Sequence, residues 1–241
     1  MRFAVDHLLL GGLLLLAAIV GGRAWLRDHP HLDPWVPLSL SDDPDGWVTK
    51  RKIAQMRADP AECRAFLERS DVAFTQLAPT GEGSCRREDR QVLARDVSRG
   101  LDLQPSGAQS TCAVGAGLIR WLHHGAQPAA QTILGSRIIA LEHYGTHNCR
   151  RIGGGDTGTW SQHATGNAID ISGFVLADGR RIVVQRDWSG EGPEAAFLRA
   201  ARDTSCNEFS TVLSPDYNAA HTDHLHLDQA QRGPGGWSFC R

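Results

Sequence analysis

The hydrophobic pattern changes character twice along this chain. Beyond Arg2 and Asp6, residues Leu8 to Gly22 carry no charge, and Arg23 closes the run. Its length falls between a signal-peptide core and a full membrane span, which needs about 20 apolar residues. Gly22-Arg23-Ala24 is a poor cleavage site, so the run reads as an uncleaved anchor in preference to a removed signal. Arg2 lies on one side and Arg23 and Arg27 on the other, which leaves orientation open. From His29 to Asp45 periodicity is lost, and Pro30, Pro34, Pro37 and Pro44 predict an extended tether. From Trp47 onward short periodic elements return. The plan is an anchor or signal segment over 1–27, a Pro-rich linker over 28–46 and a domain over 47–241.

Within the domain, Pro60 opens a short helix through Leu67, since proline is tolerated in a first turn. Glu82 to Gly100 is polar and predicts loops around a short strand at Gln91 to Leu93. Ala113 to His124 is the clearest helix, with Val114, Leu118, Trp121 and Leu122 on one face. His123 and His124 close it, where the helix dipole favours positive charge, and read as structural. Pro128 starts another short helix to Leu134, and Arg137 to Leu141 has strand composition. Phe174 to Leu176 and Arg181 to Val184 flank an Asp-Gly turn, a hairpin signature. Pro193 to Asp203 predicts an amphipathic helix with Ala196, Phe197 and Ala200 inward. Phe209 to Leu213 and His224 to Leu227 are the last strands. Helices first, then strands without a regular βαβ repeat, indicate an α+β fold. A small antiparallel sheet would carry the functional site, flanked by short helices.

Composition narrows the class. At 241 residues and a formal net charge of −2, the chain holds one moderate domain, with no basic surplus for nucleic acid. The six cysteines are widely spaced with no CxxC, the usage of an oxidising compartment, so the domain is expected to be exported and disulfide-stapled. Short loop closure favours Cys63–Cys85, Cys112–Cys149 and Cys206–Cys240.

Two stretches carry chemistry. Ser161 to Asp170 places a histidine, His163, and a carboxylate, Asp170, on either side of Gly166, where the backbone can turn. His221 to Asp228 adds His221, Asp223, His224, His226 and Asp228. On an extended chain His224, His226 and Asp228 share one face and Asp223 faces away. Such a face can divide its work, with one imidazole binding metal and its neighbour accepting a proton from water. Imidazole and carboxylate are the ligands of a zinc site that keeps an open position. HExxH and G-x-S-x-G are absent, and Gly153-Gly154-Gly155 lacks the lysine of a phosphate loop, which leaves a flexible lip. His143, Tyr144 and His147 precede the site and could line it, with packing the favoured role of Tyr144.

SQHATGNAIDISGF followed by HTDHLHLD resembles the extensin-like C-terminal domain proteins of bacteria, over roughly Trp47 to the C-terminus. These resemble in turn the zinc D-Ala-D-Ala carboxypeptidases, dipeptidases and murein endopeptidases. The resemblance implies Zn2+ held by His163, Asp170 and His226, with His224 as base, supported by His221 in an HxxHxH pattern. Asp223 occupies the position of the dipeptidase glutamate but is one methylene shorter, so His224 is preferred. Arg150 matches an arginine that grips a substrate carboxylate or carbonyl, although Arg151 beside it leaves the choice open. Ser161 matches a serine that bonds substrate or supports the first ligand. The implied function is a metallopeptidase cutting peptidoglycan stem peptides or cross-links. It would act on the periplasmic side of the inner membrane, held by the N-terminal segment. A non-catalytic wall-binding or structural module with a metal is the alternative.

Overall fold

Most of the strand-forming residues beyond position 100 collect in one sheet, and the order of its strands decides where the site lies. The computed structural model describes residues 2–232 and 237–241, with backbone alone for 2–6. Helix α1 covers Arg2–Asp28, and its His7–Asp28 portion is long and apolar enough to cross a membrane. A 3-10 turn at Pro30–Leu32 leads towards α2, Trp47–Ala58, and α3, Pro60–Arg69. Asp59 caps α3 by accepting from the amides of Ala61 and Glu62, and Pro60 fills the first turn, as the sequence predicts. Strands β1, Phe74–Gln76, and β2, Gln91–Leu93, form a separate antiparallel pair. Then come β3, Leu103–Gln104, and α4, Cys112–Trp121.

Helical winding does not stop near His124. π-helical turns at Leu122–Ala126 and Ala130–Leu134 flank α5, Gln127–Ala129, and carry the run to Gly135, which ends it at φ 66°. The wide turns on either side of Pro128 accommodate a residue without an N–H, so the two predicted helices are one interrupted rod. His124 is structural, as expected, with its Nε2 2.6 Å from the Leu40 carbonyl.

The remaining elements are β4, Ile138–Gly145; β5, Ala168–Leu176; β6, Arg181–Val183; α6, Val184–Asp187; α7, Pro193–Ser205; β7, Thr211–Leu213; β8, Leu225–Asp228; and β9, Phe239–Cys240. The main sheet runs β3-β4-β5-β8-β7-β9, with β6 also paired to β5. Its centre is antiparallel and its two outer pairings, β3–β4 and β7–β9, are parallel. The α+β class is as predicted, in a larger and mixed sheet. Every residue of α4 is buried. Trp121 ties the layers together, edge-on to Phe174 and Phe209, with its indole N–H on the Ala201 carbonyl. Helix α7 buries Ala195, Phe197, Leu198, Ala201 and Ser205. Predicted inward Phe197 is correct, whereas Ala196 and Ala200 are half-buried because the helix is rotated by about one residue.

Two expectations need correction. The 28–46 stretch is not a free tether, because Ser39 to Asp42 lies on the domain. The buried Arg120 donates to the carbonyls of Ser39 and Asp42, and Lys52 pairs with the Asp42 carboxylate at 3.1 Å. The disulfides are Cys63–Cys112, Cys85–Cys149 and Cys206–Cys240, so only the last agrees with the expected set. Loop length was the wrong criterion: α3 packs on α4 and brings Cys63 to Cys112, their Cα atoms 6.0 Å apart. Non-reducing peptide mapping should recover these three linkages. Recovery of Cys63–Cys85 would mean that α3 and α4 are packed differently.

Candidate metal centre

The central antiparallel pair sets the first two groups. In the register of β5 and β8, Asp170 stands opposite His226. The third, His163, sits on the 3-10 turn Gln162–Thr165 just before β5. Ser161 caps this turn by accepting from the His163 amide at 3.3 Å, and Gly166 closes it at φ 74°. The left-handed conformation favours glycine there, and a β-carbon would also crowd the Arg87 side chain, 3.0 Å from its Nε. The turn is tied to the start of α4 by the Thr111 amide on the Gly166 carbonyl and the Thr111 hydroxyl on Asn167.

These elements bring three atoms together. Asp170 Oδ1 lies 3.1 Å from His163 Nε2 and 2.9 Å from His226 Nδ1, and the two ring nitrogens are 3.1 Å apart. The opposite nitrogens are engaged elsewhere. His163 Nδ1 is 3.2 Å from the Thr146 carbonyl, and His226 Nε2 is 3.2 Å from Asp228 Oδ2. Both partners are acceptors, so each neutral ring places its proton there and turns a lone pair towards Asp170. Two lone pairs and a carboxylate then converge without a donor between them. That donor set fits a divalent cation with nitrogen and oxygen preferences. A proton on either ring would occupy the same position as a cation, and the electrostatics describe that alternative. Burial alone would raise the Asp170 carboxyl, yet hydrogen bonds from His163 and His226 hold it well below the usual carboxylate range. Burial would lower His226, but Asp170 and Asp228 push it up to about 9.

His224 borders this trio. It precedes β8 instead of opening it, yet its Nε2 lies 3.5 Å from Asp170 Oδ1. Asp223 does not simply face away, because its Oδ1 is 2.8 Å from His224 Nδ1 and fixes that ring's tautomer. The Tyr144 ring stands edge-on to His224 at 6.0 Å. His221 ends the 3-10 turn Ala219–His221, its ring 5.1 Å from that of His224 and its Nδ1 2.7 Å from Asn218 Oδ1. Burial, then the charges of His224 and His226, push His221 down to about 4.

The family model for the extensin-like protein C-terminus matches residues 61–241, which span every strand and every site residue named above. The chain belongs to that family. No curated protein matches it, and no solved structure does. Helices α1 and α2 and the docked Ser39 to Asp42 stretch lie outside the matched residues.

The trio opens into a cleft of about 750 Å³. Arg150, Ser161, His221 and His224 line it, and Gly153 and Gly154 form part of its lip, as the glycine run suggests. Arg150 and Arg151 are now distinguishable. Arg151 is engaged with the Gly158 carbonyl and lies over the Trp160 ring. Arg150 is exposed on the cleft wall, with no side-chain partner among the described residues. His143 and His147 do not line the cleft; His143 is buried on the Pro105 carbonyl at 2.9 Å. The sequence reading missed Thr146 and Asn218. Thr146 acts through its backbone and leaves no residue-type signal, whereas Asn218 could have been found three positions before His221, at the start of a turn.

Gly166→Ala should destabilise the fold by about 1–3 kcal/mol, from left-handed strain and crowding of Arg87. Urea denaturation with intact disulfides measures it, and an unchanged midpoint would mean that this turn relaxes freely.

Proposed function

We propose that this protein is a zinc-dependent hydrolase of the cell envelope that cleaves peptide bonds in peptidoglycan stem peptides or cross-links. The observation that carries the reading is the convergence of His163 Nε2, Asp170 Oδ1 and His226 Nδ1 in an open cleft beside an unligated histidine. A purely structural zinc takes four protein ligands, whereas a catalytic one takes three and leaves room for substrate or water. Zinc, when bound, supplies Lewis acidity to a carbonyl and lowers the pKa of water towards about 7.

The chain's own groups then have distinct tasks. His163, Asp170 and His226 would hold the metal, with Thr146 and Asp228 orienting the two rings. His224, with Nδ1–H donated to Asp223, presents its Nε2 to the cleft. It would take a proton from water and return it to the leaving amine. His221 stands behind it and keeps that ring in place. Arg150 offers a planar fork of donors to a substrate carboxylate or carbonyl on the same wall. Ser161 acts mainly by capping the His163 turn, so its share in substrate binding is secondary. Three disulfides and a span-length apolar helix support work at the periplasmic face of the inner membrane.

Metal analysis should find one zinc per chain, lost in His163→Ala. Asp228→Ala should weaken zinc affinity about 10–100-fold by freeing the far side of the His226 ring. Full zinc content in His163→Ala would remove the proposed site.

Release of peptides from purified peptidoglycan, with and without chelator, tests the reaction. His224→Ala should lower the rate by about 10²–10⁴-fold at unchanged zinc content. Asp223→Asn should cost less, since it disturbs the orientation of His224 and leaves the imidazole present. A larger loss at Asp223 would make Asp223 the base. No release by the parent protein would favour the metal-containing wall-binding module.

A further inference from the structure

Helix α2 contains no acidic residue and four basic ones, Lys50, Arg51, Lys52 and Arg57. Two of these serve the interior. Lys52 pairs with Asp42, and Arg57 lies against Gln229. The inward face is completed by Val48, Thr49, Ile53 and Met56. The outer side presents Trp47, Arg51 and Gln55 at four-residue spacing, with half-buried Lys50 beside them. Trp47 is 68% exposed, and neither Lys50 nor Arg51 has a side-chain partner among the described residues. Ahead of the helix, Trp35 is 80% exposed. The acids at this end are turned to local partners: Asp45 accepts from Asn207 at 2.9 Å, and Asp43 and Asp33 accept from the amides of Asp45 and Trp35. Large indoles beside unpaired basic groups are unusual on a face meant for bulk water.

The path of the chain indicates what covers this face. Helix α1 ends at Asp28, and the turn Pro30–Leu32 lies near α2. The chain is then seized at Ser39 to Asp42 by Arg120, His124 and Lys52. Even fully extended, the stretch from Asp28 to Leu38 reaches at most about 35 Å. With α1 in a bilayer, α2 is therefore held near the point where the chain leaves it. We propose that the outer face of α2, with Trp35, rests on the surface of that same membrane and binds its anionic headgroups. The indoles enter the interfacial zone, where an apolar ring and a polar N–H are both accommodated, and Lys50 and Arg51 meet lipid phosphates. The body is then a docked, oriented unit and not a domain swinging on a linker. This rests on α1 remaining in the membrane and is independent of the hydrolase reading.

The test uses the full chain in vesicles containing brominated phosphatidylglycerol, which quenches tryptophan emission only at close range. Trp25→Phe removes the indole of α1 itself. In that background a clear fraction of the emission should be quenched, and Trp35→Ser with Trp47→Ser should reduce that fraction at least twofold. Lys50→Glu with Arg51→Glu should also reduce it, and replacing the brominated phosphatidylglycerol by brominated phosphatidylcholine should do the same. Both indoles are exposed, so the substitutions should leave the fold intact. Equal quenching with and without Trp35 and Trp47 would overturn the proposal, as would a chain that fails to float with the vesicles. Shielding of Trp47 from both brominated lipid and aqueous iodide would also overturn it, by indicating burial against a second copy.

Discussion

The site depends above all on the register of two central strands. Pairing β5 with β8 so that Asp170 faces His226 places two of the three converging side chains roughly 5 Å apart at Cβ before any side chain is adjusted. A slip by one residue would send one of them to the opposite face of the sheet. The register is protected because β8 is buried throughout and Ile169 stands against Leu227 next to the ligand pair. Asp228, which contacts His226, follows on the same strand face, so one pairing fixes both members of that contact together. His163 has no such assistance. It lies on a single 3-10 turn and needs the Ser161 cap, the left-handed Gly166 and the Asn148 amide on its own carbonyl. The Cys85–Cys149 disulfide sits beside that last bond, next to Asn148 in the chain. The turn is where the chain concentrates local constraints because the sheet does not constrain it.

Much of this was legible because the relevant signals are local. The short β2, the hairpin of β5 and β6, the proline-started α3 and the two ligand stretches each announce themselves within about ten residues. What was lost depends on neighbours far along the chain. Cysteine pairing follows the packing of α3 on α4, which no loop length encodes. The docked Ser39 to Asp42 stretch looked like linker because its partners, Arg120 and His124, lie about 80 residues away and bind its backbone carbonyls. The strand-face argument placed His224 with the ligands, but the chain turns before Leu225. Asp223 thereby acquires a contact that a continuous strand would forbid.

Arg120 illustrates how a buried charge acts in this fold. Its guanidinium meets both carboxylate oxygens of Glu208, at 2.7 and 3.2 Å, and two backbone carbonyls, with both side chains essentially inaccessible. Desolvation makes such a pair a weak source of net stability, although removing one member alone typically costs about 3–5 kcal/mol. Its distinctive contribution is geometric, because only a segment offering carbonyls at those positions satisfies the remaining donors. The result couples α4, the region before β7 and the chain leaving α1 into one unit. If α1 is embedded in a bilayer as proposed, the body is thereby kept close to the point where the chain leaves it.

The division of labour among the histidines also follows from their second nitrogens. In the proposed site a metal ligand must keep one tautomer, and buried acceptors would secure this for His163 and His226, whose side chains are 4% and 11% exposed. A base must keep its tautomer and also exchange protons with water. His224 is nearly as buried as His226, at 12% against 11% exposed, but its partner differs. Asp223 is 38% exposed, whereas Asp228 is 8% exposed. The Asp223–His224 pair consequently has a hydrated end, and its carboxylate can stabilise an imidazolium while the ring is protonated. The same contact accounts for the ambiguity of the sequence. Asp223 and His224 are adjacent and both suited to take a proton, and their 2.8 Å contact is what favours the carboxylate as a support for the imidazole in the proposed reading. That arrangement leaves His224 Nε2, 3.5 Å from Asp170 Oδ1, as the free ring nitrogen on the cleft side of the pair.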